Sequence, residues 1–250
     1  LILGKQTEAI AKAIEQINFI IQFLMELISN MVPFFIFIIL VQMIWSDTLG
    51  VVLAAWKPVL VFLAAMLLLA VIMVLGAAIK CKVSPVLILK KGFSSFIIGV
   101  STASSVATFG NCSNVCEKKY GIKNNITSFG VPLGIVMFPP ATAIYFILIC
   151  VYTAEVYGIE CSLAWFVLAI FSAVILAIAS PPIPGGTLTC YTIMFVQLGL
   201  PEEALVVALA LDVIFDFVAT GMNMFTLQQE LLIQAKGMDK KKKKILRETR

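Results

Sequence analysis

Four residues in the stretch ALDVIFDFVATGMN have types and spacing that could do chemistry together. Each residue turns a helix by about 100°, so Asp212, Asp216, Thr220 and Asn223 fall on one face. That face reads acid, acid, hydroxyl, amide, backed by Leu211, Val213, Ile214, Phe215, Phe217 and Val218. Burying two carboxylates at the centre of a bilayer costs roughly 5–7 kcal/mol on insertion scales. Ionisable residues at that depth generally mark a substrate or ion path. The plainer reading is that the acids hydrogen-bond backbone freed at a neighbouring chain reversal. Two acids also allow an intramembrane aspartyl enzyme, but such a dyad draws its carboxylates from separate elements, and here one helix carries both.

The elements around these acids must be membrane-embedded. Hydrophobic residues make up 61% of the 250 and charged residues 13%, against about half and a quarter in an ordinary globular domain. Apolar runs of about 20 residues recur, which is the spacing of an all-α polytopic membrane protein. No nucleic-acid partner is expected. Histidine is absent, which removes the usual proton shuttle and the commonest metal ligand. Cys112 and Cys116 lie one turn apart, but no second pair completes a metal site; the cysteines read as small buried hydrophobes. The start, LILGKQTEAIAKAIEQ, has no signal-peptide pattern, and the chain is expected to begin in mid-protein.

The charges set the threading. Residues 17–45 and 59–79 read as helices, the second about 31 Å long, separated by SDTLG and Lys57. Lys80, Lys82, Lys90 and Lys91 follow, then segment 92–117 with the polar middle STASSVATFGNCSN, then Lys118, Lys119 and Lys123. Two full crossings would need about 40 residues, and one crossing would put lysines on both sides, against the positive-inside bias. A re-entrant hairpin from the basic side satisfies both constraints. Segment 126–154 can cross, is interrupted by GIVMFPPAT, and leaves at Glu155 and Glu160. A second hairpin, 161–199, carries SPPIPGG between its arms and enters from the acidic side, since its return arm, 188–198, reaches only about 16 Å. Helix 204–234 then crosses to the tail MDKKKKKILRETR, a topology signal and solvated tail with anionic lipid as the lesser reading. All 18 Lys and Arg residues except Lys57 then share one face, which is the cytoplasmic face of the cell membrane.

Two hairpins entering from opposite faces, each followed by a helix with polar content at mid-depth, make an inverted pair. Irregular backbone is tolerated at that depth only where protein or a cavity satisfies it. Inverted repeats with broken helices meeting near the midplane are the architecture of secondary transporters. SPPIPGG is then a gate loop rather than a mere turn. STASS is a hairpin tip or a site of close helix packing. Glu26 is expected to pair at a helix interface.

The order of elements and three motifs resemble the dicarboxylate/amino acid:cation symporter family, the glutamate-transporter-like carriers, from their fifth helix onward. The motifs are GVPLGIVMFPPATAIYF for the broken seventh helix, IPGGTLTCYTIMFVQLGLP for the second hairpin and LDVIFDFVATGMN for the eighth helix. The resemblance implies that Asp216 holds a substrate amino group and Asn223 an α-carboxylate, with Thr220 and Thr142 lining the same site. It places Ser104 and Ser105 in the first tip and Pro184, Gly185 and Gly186 in the closing tip. Asp212, Asn223 and Ser180 are the candidates for cation coupling.

The departures from the family pattern bear on substrate and ion. Acidic-substrate members have an arginine where this chain has Ala219. The family's Asn-Met-Asp-Gly-Thr stretch is FPPAT here, with Pro140 in place of the aspartate. Leu227 stands where another sodium-binding aspartate is expected. The resemblance therefore implies a carrier working by alternating access, moving a small amino acid or carboxylate that is not strictly acidic. Na+ or H+ is the coupling ion, the proton carried through Asp212, and no organic cofactor is expected. Residues 1–57 resemble part of a homotrimer-forming scaffold, 58–235 a moving transport unit, and 236–250 form the basic tail. A homologue that has lost transport is the alternative.

Overall fold

The computed structural model describes residues 55–181 and 186–248, with single helical positions at 16, 34, 37, 38, 41 and 45. Apart from Phe34, Phe37, Ile38, Val41 and Trp45, the expected helix 17–45 lies outside the described residues, as do Glu26, Pro184 and Gly185. Every regular element among the described residues is a helix. In order they are α1 (Trp56–Cys81), α2 (Pro85–Thr102), α3 (Ser105–Asn114), α4 (Asn124–Met137), α5 (Pro140–Val156), α6 (Leu163–Ala179), α7 (Leu188–Leu198) and α8 (Leu205–Glu248). The stretches Trp56–Cys81, Pro85–Thr102, Asn124–Val156 and Glu202–Met238 are long and apolar enough to cross a bilayer. The chain is an all-α, multi-pass membrane protein.

Local chemistry explains each interruption. Ala103 adopts a left-handed φ of +46°, and Ser104 then caps α3, its hydroxyl accepting from Ala107 N–H at 3.2 Å. The chain reverses there, so α3 packs back along α2, with Ser95 Oγ donating to Asn111 Oδ1 at 2.7 Å. A π-helical turn, Val115–Lys119, ends the return arm, and the Lys91 and Lys119 ammoniums donate to carbonyls of the opposite arm. Between α4 and α5, Pro139 and Pro140 both lack the N–H that a continuous helix needs, so the helix ladder stops at Phe138. In the second hairpin Ser162 caps α6, and the Trp165 indole N–H donates to the Leu198 carbonyl at 3.0 Å, closing the base of the arms.

Among the described residues, helix α8 is the axis on which the other helices pack, except α6, which rests mainly on α5 and α7. Helix α8 runs parallel to α1, with Phe62 stacked on Phe215 at 4.1 Å and the Cys81 thiol 3.6 Å from the Leu232 carbonyl. It runs antiparallel to α2, where Gly99 and Gly221 meet backbone to backbone. A Cβ at Gly99 would lie 2.7 Å from the Gly221 Cα, so only glycine permits this crossing. These directions gather Lys80, Lys82, Lys90, Lys91 and Lys236 at one end of the bundle, and α8 begins at the other end, beside Glu202 and Glu203.

Two boundaries differ from the sequence expectation. The first arm begins at Pro85 rather than at residue 92, because proline is favoured in the first helical turn and Ser84 precedes it in extended conformation. Lys90 and Lys91 are therefore part of the arm. Helix α8 continues to Glu248 rather than releasing a tail at 236, since lysine, leucine and glutamate are good helix formers and no proline interrupts them.

Candidate functional site

A cavity of about 40 Å3 lies where both hairpins, the α4–α5 break and α8 converge. Its walls include Ala103 and Ser105 from the first tip, Pro139, Thr142 and Tyr145 from the break, Ser180 and Thr187 from the second hairpin, and Asp216, Thr220 and Asn223 from α8. Six helix ends meet there. Those of α3, α5 and α7 are N-termini, with partial positive charge; those of α2, α4 and α6 are C-termini, with partial negative charge. The framework can thus hold a carboxylate and a cationic group side by side.

The two aspartates have different surroundings. Asp212 is buried, and both its oxygens accept hydrogen bonds from α7 and the turn before it: Thr187 Oγ1 at 2.7 Å and Tyr191 OH at 3.0 Å. It does not border the cavity and instead ties α8 to the second hairpin. Asp216 does border it, and among the described residues its one hydrogen bond is the long 3.4 Å contact from Thr220 Oγ1. Asp216 therefore retains acceptor capacity for a ligand, whereas Asp212 is engaged by protein donors.

Asn223 bridges two helices. Its Oδ1 accepts from Ala141 N–H at 2.8 Å, and its Nδ2 donates to Thr142 Oγ1 at 2.8 Å. Because prolines occupy 139 and 140, Ala141 carries the first backbone N–H of the α5 start, and Asn223 satisfies it from across the break. The carboxamide thus acts as a helix cap supplied by another helix, with one further donor and one further acceptor position on its edge.

Of the other candidates, Ser105, Ser180, Thr142 and Thr220 line the cavity, while Ser104 and Gly186 do not. Ser104 spends its hydroxyl on capping α3. Ala219 is fully buried in the main apolar core and is not part of the cavity wall. Leu227 occupies the neighbourhood of Gly134: its Cδ1 lies 2.1 Å from where a Cβ on that glycine would stand. Hydrocarbon thus fills the space beside the break at the position where the resemblance expects a carboxylate.

Three residues were not singled out by sequence: Thr187, Tyr191 and Tyr145. Thr187 and Tyr191 are one helical turn apart and so present their hydroxyls to the same acid, a spacing that could have flagged them. The Tyr145 hydroxyl is buried on the cavity wall and has no hydrogen-bond partner among the described residues. It lies close to the Asp212 carboxylate rather than on the open face of the cavity.

Comparison with known proteins follows the same lines. The model of the sodium:dicarboxylate symporter family matches residues 1–227. An excitatory amino acid transporter of Caenorhabditis elegans is 25% identical over 145 residues, covering 58% of this chain and 29% of that protein. The proton/glutamate-aspartate symporter of Bacillus subtilis is 25% identical over 223 residues, covering 88% and 53%. Human excitatory amino acid transporter 2 is 25% identical over 131 residues, covering 52% and 23%. The chain thus spans from about a quarter to about half the length of these relatives.

Proposed function

Because the chain belongs to the sodium:dicarboxylate symporter family, we propose that it is the substrate-carrying part of a cation-coupled symporter for a small amino acid or carboxylate. The observation that carries this reading is the cavity bounded by both hairpins, the α4–α5 break and the free edge of Asp216. In this reading Asp216 receives the substrate's ammonium group. Thr142, Thr220 and the outer edge of Asn223 receive its α-carboxylate, assisted by the N-termini of α3 and α5. An aspartyl-enzyme reading has no support, since the family and the relatives named above are transporters.

A cavity walled by elements of both hairpins supports alternating access. Its volume has room for about three water molecules, so in this reading the walls shift to seat an amino acid. The bonds from Thr187 and Tyr191 to Asp212 make the second hairpin sensitive to what happens at that carboxylate. A proton or a cation reaching Asp212 competes with those donors and changes the hold on the gate. Pro140 and Leu227 leave few oxygen ligands for sodium at the break, which favours fewer coupled sodium ions and a proton through Asp212. Residues 58–235 form the moving unit and 1–57 part of a homotrimeric scaffold, with the basic end and C-terminus in the cytoplasm.

The engaged state of Asn223 and the apolar filling around Leu227 favour one second reading, a homologue that binds substrate without moving it. Uptake by the complete protein in proteoliposomes, with sodium and proton gradients imposed separately, decides between them. Flux driven by either gradient supports the symporter; binding without flux supports the second reading.

A further inference from the structure

The base of the first hairpin gathers positive charge that no acid answers. Lys90 and Lys91 stand in the second turn of α2, and the π-helical turn of the return arm brings Lys119 against them. The Lys119 ammonium donates to Ser94 Oγ at 3.1 Å. Ser94 follows Lys90 by one helical turn, so that ammonium rests next to Lys90 on the same side of α2. The Lys91 ammonium donates to the Lys119 carbonyl and lies 5.8 Å from the centre of the Tyr120 ring. Tyr120 is fixed in turn, its hydroxyl donating to the Ile88 carbonyl at 2.8 Å.

Among the described residues none of these three lysines has an ion-pair partner. Glu117, the nearest acid in sequence, accepts instead from Asn124 Nδ2 at 2.9 Å. A positive bias on one face of a membrane accounts for the number of lysines, not for their convergence from two arms. Like charges brought together repel, and an anion between them relieves the repulsion.

The surroundings say what carries that anion. Phe93 and Ile97 lie within about 60° of Lys90 around α2 and are 55% and 44% exposed. They follow Lys90 into the stretch Pro85–Thr102, which is long and apolar enough to cross a bilayer. Ammoniums thus stand at the mouth of an apolar stripe. A free anion would leave that stripe uncovered, and a zwitterionic lipid would bring its own cation to the lysines. An acidic phospholipid offers an oxyanion and hydrocarbon at the spacing the patch presents.

We propose that Lys90 and Lys119 bind the phosphate of one acidic phospholipid whose chains lie along Phe93 and Ile97, with Lys91 adding charge from behind. The site is separate from the cavity and independent of the transport reading.

The test is native mass spectrometry of the full chain in detergent, titrated separately with dioctanoyl phosphatidylglycerol and dioctanoyl phosphatidylcholine. Phosphatidylglycerol should bind more tightly. Lys90→Gln and Lys119→Gln should each weaken it about fivefold and leave phosphatidylcholine unchanged. The double variant Lys90→Arg/Lys119→Arg should keep the preference, because it keeps the charge. Equal binding of the two lipids by the parent, or loss of the preference in the arginine variant, overturns the site. Lys241→Gln/Lys243→Gln in the terminal lysine run should have no effect; a loss as large as that at Lys90 means diffuse attraction and also overturns it. Inorganic phosphate that displaces the lipid at similar concentration would mark a free-anion site and overturn the lipid assignment.

Discussion

The Asn223 carboxamide accepts a hydrogen bond from Ala141 N–H at 2.8 Å, joining α8 to the start of α5 across the interruption in the seventh family helix. A residue read from sequence as a substrate ligand is thereby also a structural cap. Removing the carboxamide in Asn223→Ala strands a buried N–H and the Thr142 hydroxyl. A stability loss of about 1–3 kcal/mol is expected, measured by thermal unfolding in detergent. An unchanged Tm would show that the cap is dispensable.

Asp216→Asn keeps the size of the side chain and removes the charge offered to an ammonium group. Loss of a charge-assisted contact worth about 1.5–3 kcal/mol corresponds to a roughly tenfold to 150-fold weaker apparent affinity. The folded state should be unaffected, because among the described residues Asp216 has only one weak hydrogen bond to lose. Equal affinity in parent and variant would exclude an amino-group contact at this position.

Asp212 and Tyr191 should be energetically coupled. Tyr191→Phe removes one of the two hydroxyls that hold the carboxylate, and Asp212→Asn weakens both contacts at once. A double-mutant cycle on uptake should give an interaction of about 0.5–3 kcal/mol. Strict additivity would mean that the second hairpin is not read through Asp212.

The contact of Leu227 with Gly134 is tight enough to be tested by compensation. Gly134→Ala places a methyl group on the Leu227 side chain and is expected to cost about 1–3 kcal/mol through overpacking. Adding Leu227→Ala should recover most of that loss. If the pair is no more stable than Gly134→Ala alone, hydrocarbon does not fill the space as described.

Selectivity depends on what the cavity wall lacks. Among the described lining residues there is no lysine or arginine, so the second carboxylate of glutamate or aspartate finds no ion pair. Neutral amino acids should compete for uptake at least about tenfold better, a difference of about 1.4 kcal/mol. Glutamate outcompeting alanine or serine would overturn this. Ala219→Arg is not expected to reverse the preference, because Ala219 is fully buried in apolar core. The arginine should instead depress folded yield, as an unpaired buried charge is costly.

Much of this molecule was legible in its residues because the signals are local. Apolar runs report a membrane chain, since only hydrocarbon surroundings tolerate them. FPPAT reports a helix break because two consecutive prolines lack the N–H groups that a helix needs, and the acids of α8 share a face because of helix periodicity. Boundaries were less certain: Ser84–Pro85 outweighed the lysines as the start of α2, and the tail lysines joined α8 rather than leaving it.

Partnerships were decided only by the tertiary structure. Asp212 and Asp216 look alike in sequence, yet Thr187 and Tyr191 engage one and leave the other facing the cavity. Asn223 finds Ala141 and Thr142 about 80 residues away in sequence, and Leu227 finds Gly134. Gln228, unremarkable on a helical wheel, comes against Gly92 only because α2 packs on α8. Composition and periodicity fix what a segment can be. Which groups satisfy one another depends on which helices meet, and a hydrogen bond carries no trace of its partner in the letters of the chain.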